Sequence, residues 1–363
     1  MKVNRPSRRQ GWRRSDARLG HGDEKLWWSR RPQQESVWPT CACPKGRDRA
    51  KLAAHADILI ENFKPGTMEK WGLGPDVLHE INPRLIIVRV SGYGQTGPYS
   101  SRAGFGGIGE AMGGWRYIVG DPDRAPSRMG VSIGDSLAAT YGCMGALAAL
   151  HARERTGKGQ VVDSALYEAV LQVMESLVPE YMVSDHVRKR TGSVLEGIAP
   201  SNVYPTSDGE YLIGANQDAI FKRLCAAMGR PELGTDERYA THVARGERQT
   251  ELDDLISEWT RTLTVDELEE KMIEFSIPAG KIYRAPEMLS DPHFAAREAL
   301  IDVEHPQWGS FKMQNAFPKL SATPSSVRRR APLEIGQDNA EIYGDLLGMS
   351  EEEIAALKAG AAI

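Results

Sequence analysis

The stretch Met129 to Gln160, MGVSIGDSLAATYGCMGALAALHARERTGKGQ, decides how the chain is read. It has three parts: an extended run ending in Gly134-Asp135-Ser136, a segment of mostly small residues, and a basic turn containing glycine. From Leu137 to His151, Ala, Gly, Leu and Met follow one another almost without interruption, which predicts a helix buried on more than one face. A carboxylate at the mouth of such a helix either caps it or does chemistry. Asp135 is placed to meet the first unpaired backbone N–H groups, so the N-cap reading stands beside the catalytic one until the flanking sequence is considered.

On the N-terminal side, Arg102 to Gly114 (RAGFGGIGEAMGG) is rich in glycine and suited to close backbone approach. Before it, Arg84 to Val90 is a continuous apolar strand of the kind found in parallel sheets, ending in the loop Ser91 to Pro98. Open α/β sheets place ligands at such carboxyl ends. Gly92, Gly94 and Gly97 match the dinucleotide spacing G-x-G-x-x-G by count. Pro98 and Tyr99 follow, however, and no helix opens inside the motif, which argues against a nicotinamide site. Ala56 to Phe63 reads as another buried strand, followed by a turn in which Thr67 caps a short helix.

On the C-terminal side, Val161 to Ser164 is a strand and Leu166 to Tyr181 a long amphipathic helix. Ser201 to Tyr211 carries a hairpin signature, and Ser276 to Ile282 reads as an edge strand after a helical region, Asp218 to Met272. His305 to Phe311 and Ala316 to Leu320 read as short strands, and Asp338 to Ala362 as a pair of helices.

At 363 residues the chain is long enough for two domains, and its net charge of −4 argues against a general nucleic-acid binder. No apolar run reads as long enough for a membrane span, so neither membrane nor nucleic acid is expected as a partner. The cysteines Cys41, Cys43, Cys143 and Cys225 are scattered, which suggests free thiols and a cytoplasmic location. Cys41-x-Cys43 lacks a second ligand pair, so no metal site is expected. The first 46 residues hold Trp12, Trp27, Trp28 and Trp38 among many arginines, without an apolar period. They are expected to be disordered, or to be a misread segment such as a shifted frame, with order beginning near Asp48.

Several segments together resemble the family III CoA-transferases, the group of formyl-CoA transferase and the carnitine and bile-acid-inducible CoA-transferases. The carriers are Ala56 to Gly74, Asn82 to Tyr99, Ser132 to Ser136 (SIGDS), Arg155 to Val170 and Asp208 to Gln217, and the likeness spans about Arg49 to Ile363. The resemblance implies an α/β fold: a Rossmann-like large domain of about 47–195 with 300–363, an inserted smaller α+β domain of about 196–299, and interlocked homodimers. It implies transfer of coenzyme A, bound as acyl-CoA, to an acceptor carboxylic acid, in particular between small dicarboxylic acids. Asp135 falls on the catalytic position and would form a covalent aspartyl intermediate.

By the same resemblance Asn62, Phe63, Lys70, Trp71 and Arg102 lie at CoA-contacting positions, and Gly214-Ala215-Asn216 in a loop over the acyl group. From the residues alone, Lys70 reads equally as a solvated helix residue, Trp71 as core, and Gly214 as an ordinary turn glycine. Asp163 and Glu168 are rival carboxylates that do not match the family's nucleophile. The related α-methylacyl-CoA racemases carry a proton-transferring histidine where this chain has Phe105, so racemisation is the lesser alternative. The family's usual first strand and glycine loop are not recognisable in residues 1–46, which leaves a non-catalytic remnant as a further alternative.

Overall fold

The computed structural model describes residues 50–306, 308–326 and 336–359. Expectations about residues 1–46, including Cys41 and Cys43, lie outside the described residues.

Three strands, β1 (Ile58–Glu61), β2 (Ile86–Ser91) and β3 (Val161–Ala165), form a parallel sheet in the order β1-β2-β3. Helix α1 (Thr67–Lys70) follows β1; its cap is Gly66, at φ +80°, rather than Thr67. After β2 come α2 (Gly106–Met112), α3 (Trp115–Ile118) and the 24-residue α4 (Ile133–Thr156). Helices α5 (Leu166–Leu171) and α6 (Leu177–Ser184) follow β3. Strands β4 (Ser201–Pro205), β5 (Glu210–Gly214) and β6 (Ala279–Lys281) make an antiparallel sheet, with α7 (Asp218–Ala227) and α8 (His242–Glu247) between β5 and β6. Strands β7 (Leu300–His305) and β8 (Gly309–Gln314) form a two-stranded sheet, and the chain continues to helix Glu351–Ala359.

The chain divides into two compact units: Met1–Arg116 with Met129–Glu180 and Ile301–Ile363, and Tyr117–Arg128 with Tyr181–Leu300. Set beside the domain limits expected at 195/196 and 299/300, the second unit begins earlier and takes in Tyr117–Arg128. The first unit has a core of Leu59, Phe63, Met68, Leu78, Leu85 and Ile87. The second has its own, around Tyr204, Tyr211, Ile213, Phe221, Leu224, Ile256 and Leu268.

Helix α4 corrects the expectation of burial on several faces. It buries one stripe, Gly134, Ala138, Gly142, Ala146, Ala149 and Arg153, at helical spacing, while Cys143, Met144 and Leu147 on the other side are exposed. The small residues serve close approach to the sheet. A Cβ on Gly142 would lie 3.1 Å from Val88 Cγ1, and one on Gly145 2.6 Å from Val162 Cγ1. By length and composition α4 is also apolar enough to cross a membrane, contrary to the expectation that no run reaches that length. The helix is held to the sheet by Ser164 Oγ, which donates to the Ala138 carbonyl at 2.9 Å, and by Arg153, which donates to Asp57 Oδ1 at 2.9 Å.

Three further elements differ from expectation. Residues 102–114 contain a helix, α2, because Gly109 and Gly113 let it lie directly on α5. Cβ atoms there would meet Leu166 Cβ at 2.7 Å and Val170 Cβ at 2.6 Å. The single helix expected over Leu166 to Tyr181 is broken between Leu171 and Leu177, where Glu175 takes φ +54°. Residues 316–320 form no strand; the second strand of that pair is Gly309–Gln314.

The β1–β2 register places Glu61 opposite Arg89, and both are buried. Arg89 Nε donates to Glu61 Oε1 at 2.7 Å and Nη1 to Glu69 Oε1 on α1, also at 2.7 Å. Burial pushes the Glu61 carboxyl above its ordinary value, against the pull of Arg89. The more exposed Glu69 is held below its own by the Arg89 hydrogen bond.

Candidate active site

Helix α4 runs antiparallel to β3: Ala138 meets Ser164 near the strand's end, while Gly145 meets Val162 near its start. The N-terminus of α4 therefore reaches the carboxyl ends of the parallel strands, where open α/β sheets bind ligands. Asp135 sits there, in the first turn and exposed. It is not the N-cap, a place held by Ser132 without a side-chain cap bond.

The Asp135 carboxylate packs on the first residue of α2. A Cβ on Gly106 would lie 2.5 Å from Oδ2 and 3.1 Å from Oδ1. Gly134 makes a reciprocal approach, its virtual Cβ 3.0 Å from the Gly106 carbonyl oxygen and 3.6 Å from Glu110 Cγ. The carboxylate thus lies against a helix start, whose first N–H groups have no intrahelical acceptor and whose dipole favours negative charge. Any side chain at 106 would displace the Asp135 carboxylate.

Phe105, at the N-cap of α2, is 67% exposed, with its ring edge over Gly107. The sequence reading missed Glu110 and Arg116. Glu110 is buried, and its Oε2 accepts from Arg116 Nε at 2.8 Å. They are the only charged residues between Ala103 and Tyr117, and that isolation in a glycine-rich run was the available signal.

The proposed CoA contacts separate into two pairs and one outlier. Asn62 and Lys70 are exposed after β1 and at the end of α1. Phe63 and Trp71 pack in the core, their rings edge-to-face at 4.9 Å, and Phe63 is only 4% exposed. Arg102 is exposed in the loop after β2, its guanidinium 3.5 Å from the Tyr99 ring centroid.

That loop has polar groups in want of partners. Ser91 Oγ and Gln95 Nε2 are buried without a hydrogen bond among the described residues. Buried polar groups are nearly always paired, so a pair of orphans at a strand's carboxyl end fits a polar ligand such as coenzyme A. Asp163, a rival nucleophile in the sequence, has a structural role instead. Its Oδ2 accepts from the Gln95 N–H at 2.8 Å and holds the loop at Gly94, φ +86°. Glu168 accepts from the neighbouring Tyr167 hydroxyl at 3.0 Å.

In the second unit, Gly214 and Ala215 spend their amides internally. Gly214 N–H donates to the Pro278 carbonyl and Ala215 N–H to that of Pro200, both at 2.9 Å. Those two donors are therefore unavailable to an oxyanion. The Asn216 carbonyl accepts from the buried Arg245 at 2.6 Å, and Arg245 also donates to Asp218, Ala199 and Tyr239. Its hydrogen bond holds the Asp218 carboxyl below the usual range.

The family model for CoA-transferase family III matches residues 1–339. The chain is 56% identical over 337 residues to succinyl-CoA–D-citramalate CoA-transferase of Chloroflexus aurantiacus, covering 92% of this chain and 84% of that one. It is 39% identical over 363 residues to the β subunit of succinyl-CoA–L-malate CoA-transferase of the same organism, covering 99% and 89%. A crystal structure of a CaiB/BaiF family protein from Brucella suis superposes with a TM-score of 0.78 at 33% identity, covering 90% of this chain and 86% of that one. The chain belongs to CoA-transferase family III, and its mixed α/β fold is that of CaiB/BaiF proteins. The match begins at residue 1, so likeness to the family is not confined to the part after Arg49.

Proposed function

We propose that this enzyme moves coenzyme A from succinyl-CoA to a small dicarboxylic acid of the citramalate or malate type, through a covalent intermediate on Asp135. One observation carries the reading: the Asp135 carboxylate is seated against Gly106 at the carboxyl ends of the parallel strands. The acids named for the two Chloroflexus relatives support the substrate class.

The steps balance without a net proton. An Asp135 oxygen attacks the thioester carbonyl, and the C–S bond breaks to give a mixed anhydride and CoA thiolate. The thiolate attacks the aspartyl carbonyl, releasing the donor acid and leaving an aspartyl-CoA thioester. The acceptor carboxylate attacks that thioester, again expelling thiolate, which then takes the acceptor's acyl carbon and returns Asp135 to its carboxylate form. The start of α2 favours the negative charge passing through this point. Asn62, Lys70 and Arg102 would hold the CoA moiety with Ser91 and Gln95, while Phe63 and Trp71 support them. Phe105 offers no proton acceptor beside Asp135, which disfavours racemisation.

In this reading the first unit is the Rossmann-like CoA domain, and the protein works as an interlocked dimer in the cytoplasm. The exposed apolar face of α4, with Met144 and Leu147, is suited to cover by a second copy. Incubating the protein with succinyl-CoA and citramalate, malate, glutarate or oxalate, and following each CoA ester by mass spectrometry, tests the function. Hydrolysis without a new CoA ester would refute it.

A further inference from the structure

We propose that Arg116 binds the second carboxylate of the acid substrates, held in aim by the buried Glu110. The inference rests on the dicarboxylate reading above and adds the residue that selects for it.

Glu110 is only 1% exposed, and Arg116 Nε is its ion-pair partner at 2.8 Å. A buried carboxylate demands such a partner, so Glu110 fixes where the guanidinium sits. The bond uses only Nε. Among the described residues, Nη1 and Nη2 of Arg116 make no hydrogen bond, and the side chain is 30% exposed. These two nitrogens are a fork of the geometry that matches a carboxylate. The adjacent Trp115 carries a buried indole N–H that also lacks a partner among the described residues.

The location matters as much as the charge. Gly106 and Gly107 are consecutive: the Asp135 carboxylate lies at the virtual Cβ of the first, and Arg116 Nη2 3.5 Å from that of the second. An acid with one carboxyl carbon bonded through Asp135 has its far end within the neighbourhood of a cation already oriented by a buried anion. The Phe105 ring edge, 2.9 Å from the virtual Cβ of Gly107, lies in the same neighbourhood and offers an apolar wall to the carbon chain of the acid. An acid lacking the second carboxylate leaves Nη1 and Nη2 without that partner, the kind of loss by which polar sites discriminate.

With succinyl-CoA as donor, the test compares kcat/KM for the four-carbon dicarboxylate malate with that for butyrate, in wild type and Arg116→Gln. The dicarboxylate-to-butyrate ratio should fall about 100-fold, mostly through KM for the dicarboxylate. A ratio within about threefold of wild type, whatever the absolute rates, would overturn the assignment. If Arg116→Gln yields no folded protein, Arg116→Lys keeps the charge and loses the fork, and its ratio should fall about tenfold; an unaltered ratio there overturns the assignment equally. Wild type that transfers CoA to no dicarboxylate would bring down the functional reading and this inference with it. A wild type that transfers, with the ratio kept in the variants, removes this inference alone.

Discussion

At Gly106 the carboxylate of Asp135 occupies the space where a side chain would begin, with Oδ2 2.5 Å from the virtual Cβ; at Gly214 the nearest atom is the Pro278 carbonyl oxygen, at 3.8 Å. Both glycines stand in segments that the sequence marks as substrate-contacting. The first makes room for a carboxylate. The second ends a strand whose amides are already committed to Pro278 and Pro200, and it could bear a methyl group. A glycine's presence is therefore a weak signal, and what packs on it is the strong one.

The largest test of this contrast is Asp135→Ala. It should lower transfer by at least about 10⁴-fold, while thermal unfolding stays near wild type because the residue is exposed and is not the helix cap. Mass spectrometry of acyl-CoA-treated wild type should place the adduct on Asp135; an adduct on Asp163 or Glu168 would reassign the nucleophile.

Next is the pair Gly106→Ala and Gly214→Ala. The first forces the carboxylate aside and should cost about 100-fold in kcat and about 1–3 kcal/mol in stability. The second, in extended backbone with space available, should hold activity within about threefold and stabilise the second unit by about 0.4–1 kcal/mol. Equal effects in steady-state kinetics would dissolve the contrast.

A smaller effect separates the site from its scaffold. Glu69 is held low by Arg89, so its share of stability is present above the ordinary value near 4.5 and is lost as pH falls. Glu61 works in the opposite sense: burial raises its carboxyl, so stability falls as pH rises through the window above 4.5. Glu69→Gln should cost at most about 1 kcal/mol at neutral pH and flatten the acid side of the stability profile, measured by denaturant midpoints between pH 3 and 7. A steeper acid limb would contradict the sign.

The last expected effect is zero. With Phe105 beside the Asp135 neighbourhood, a 2-methylacyl-CoA incubated in deuterated water should take up no α-deuterium above background. Wash-in at the rate of turnover would reveal a second base.

Much of the scaffold was legible. The apolar runs before Asn62 and Ser91 gave two parallel strands because a doubly covered strand must be apolar on both faces. Asp135 stood out because its carboxylate opens a long run of small residues. Other readings stopped where sequence stops. Small residues along α4 read as burial on several faces, whereas they mark one face in close contact with Val88 and Val162. Asp163 read as a rival nucleophile, yet it anchors Gln95, 68 positions away. Glu110 and Arg116 give no sequence signal of their ion pair, because it depends on Glu110 being buried beside Gly134 and on Arg116 reaching Gly107.

The sequence by itself therefore determined the family, the run of strands and the identity of the carboxylate at the head of α4. Only the tertiary structure decided that this carboxylate rests on Gly106, that Glu110 fixes Arg116 close by, and that the Gly214 and Ala215 amides are spent. The reason is physical. Residue type and spacing report which groups favour burial or a turn, but a hydrogen-bond partner or a steric contact belongs to two segments at once, and is set only when the chain closes.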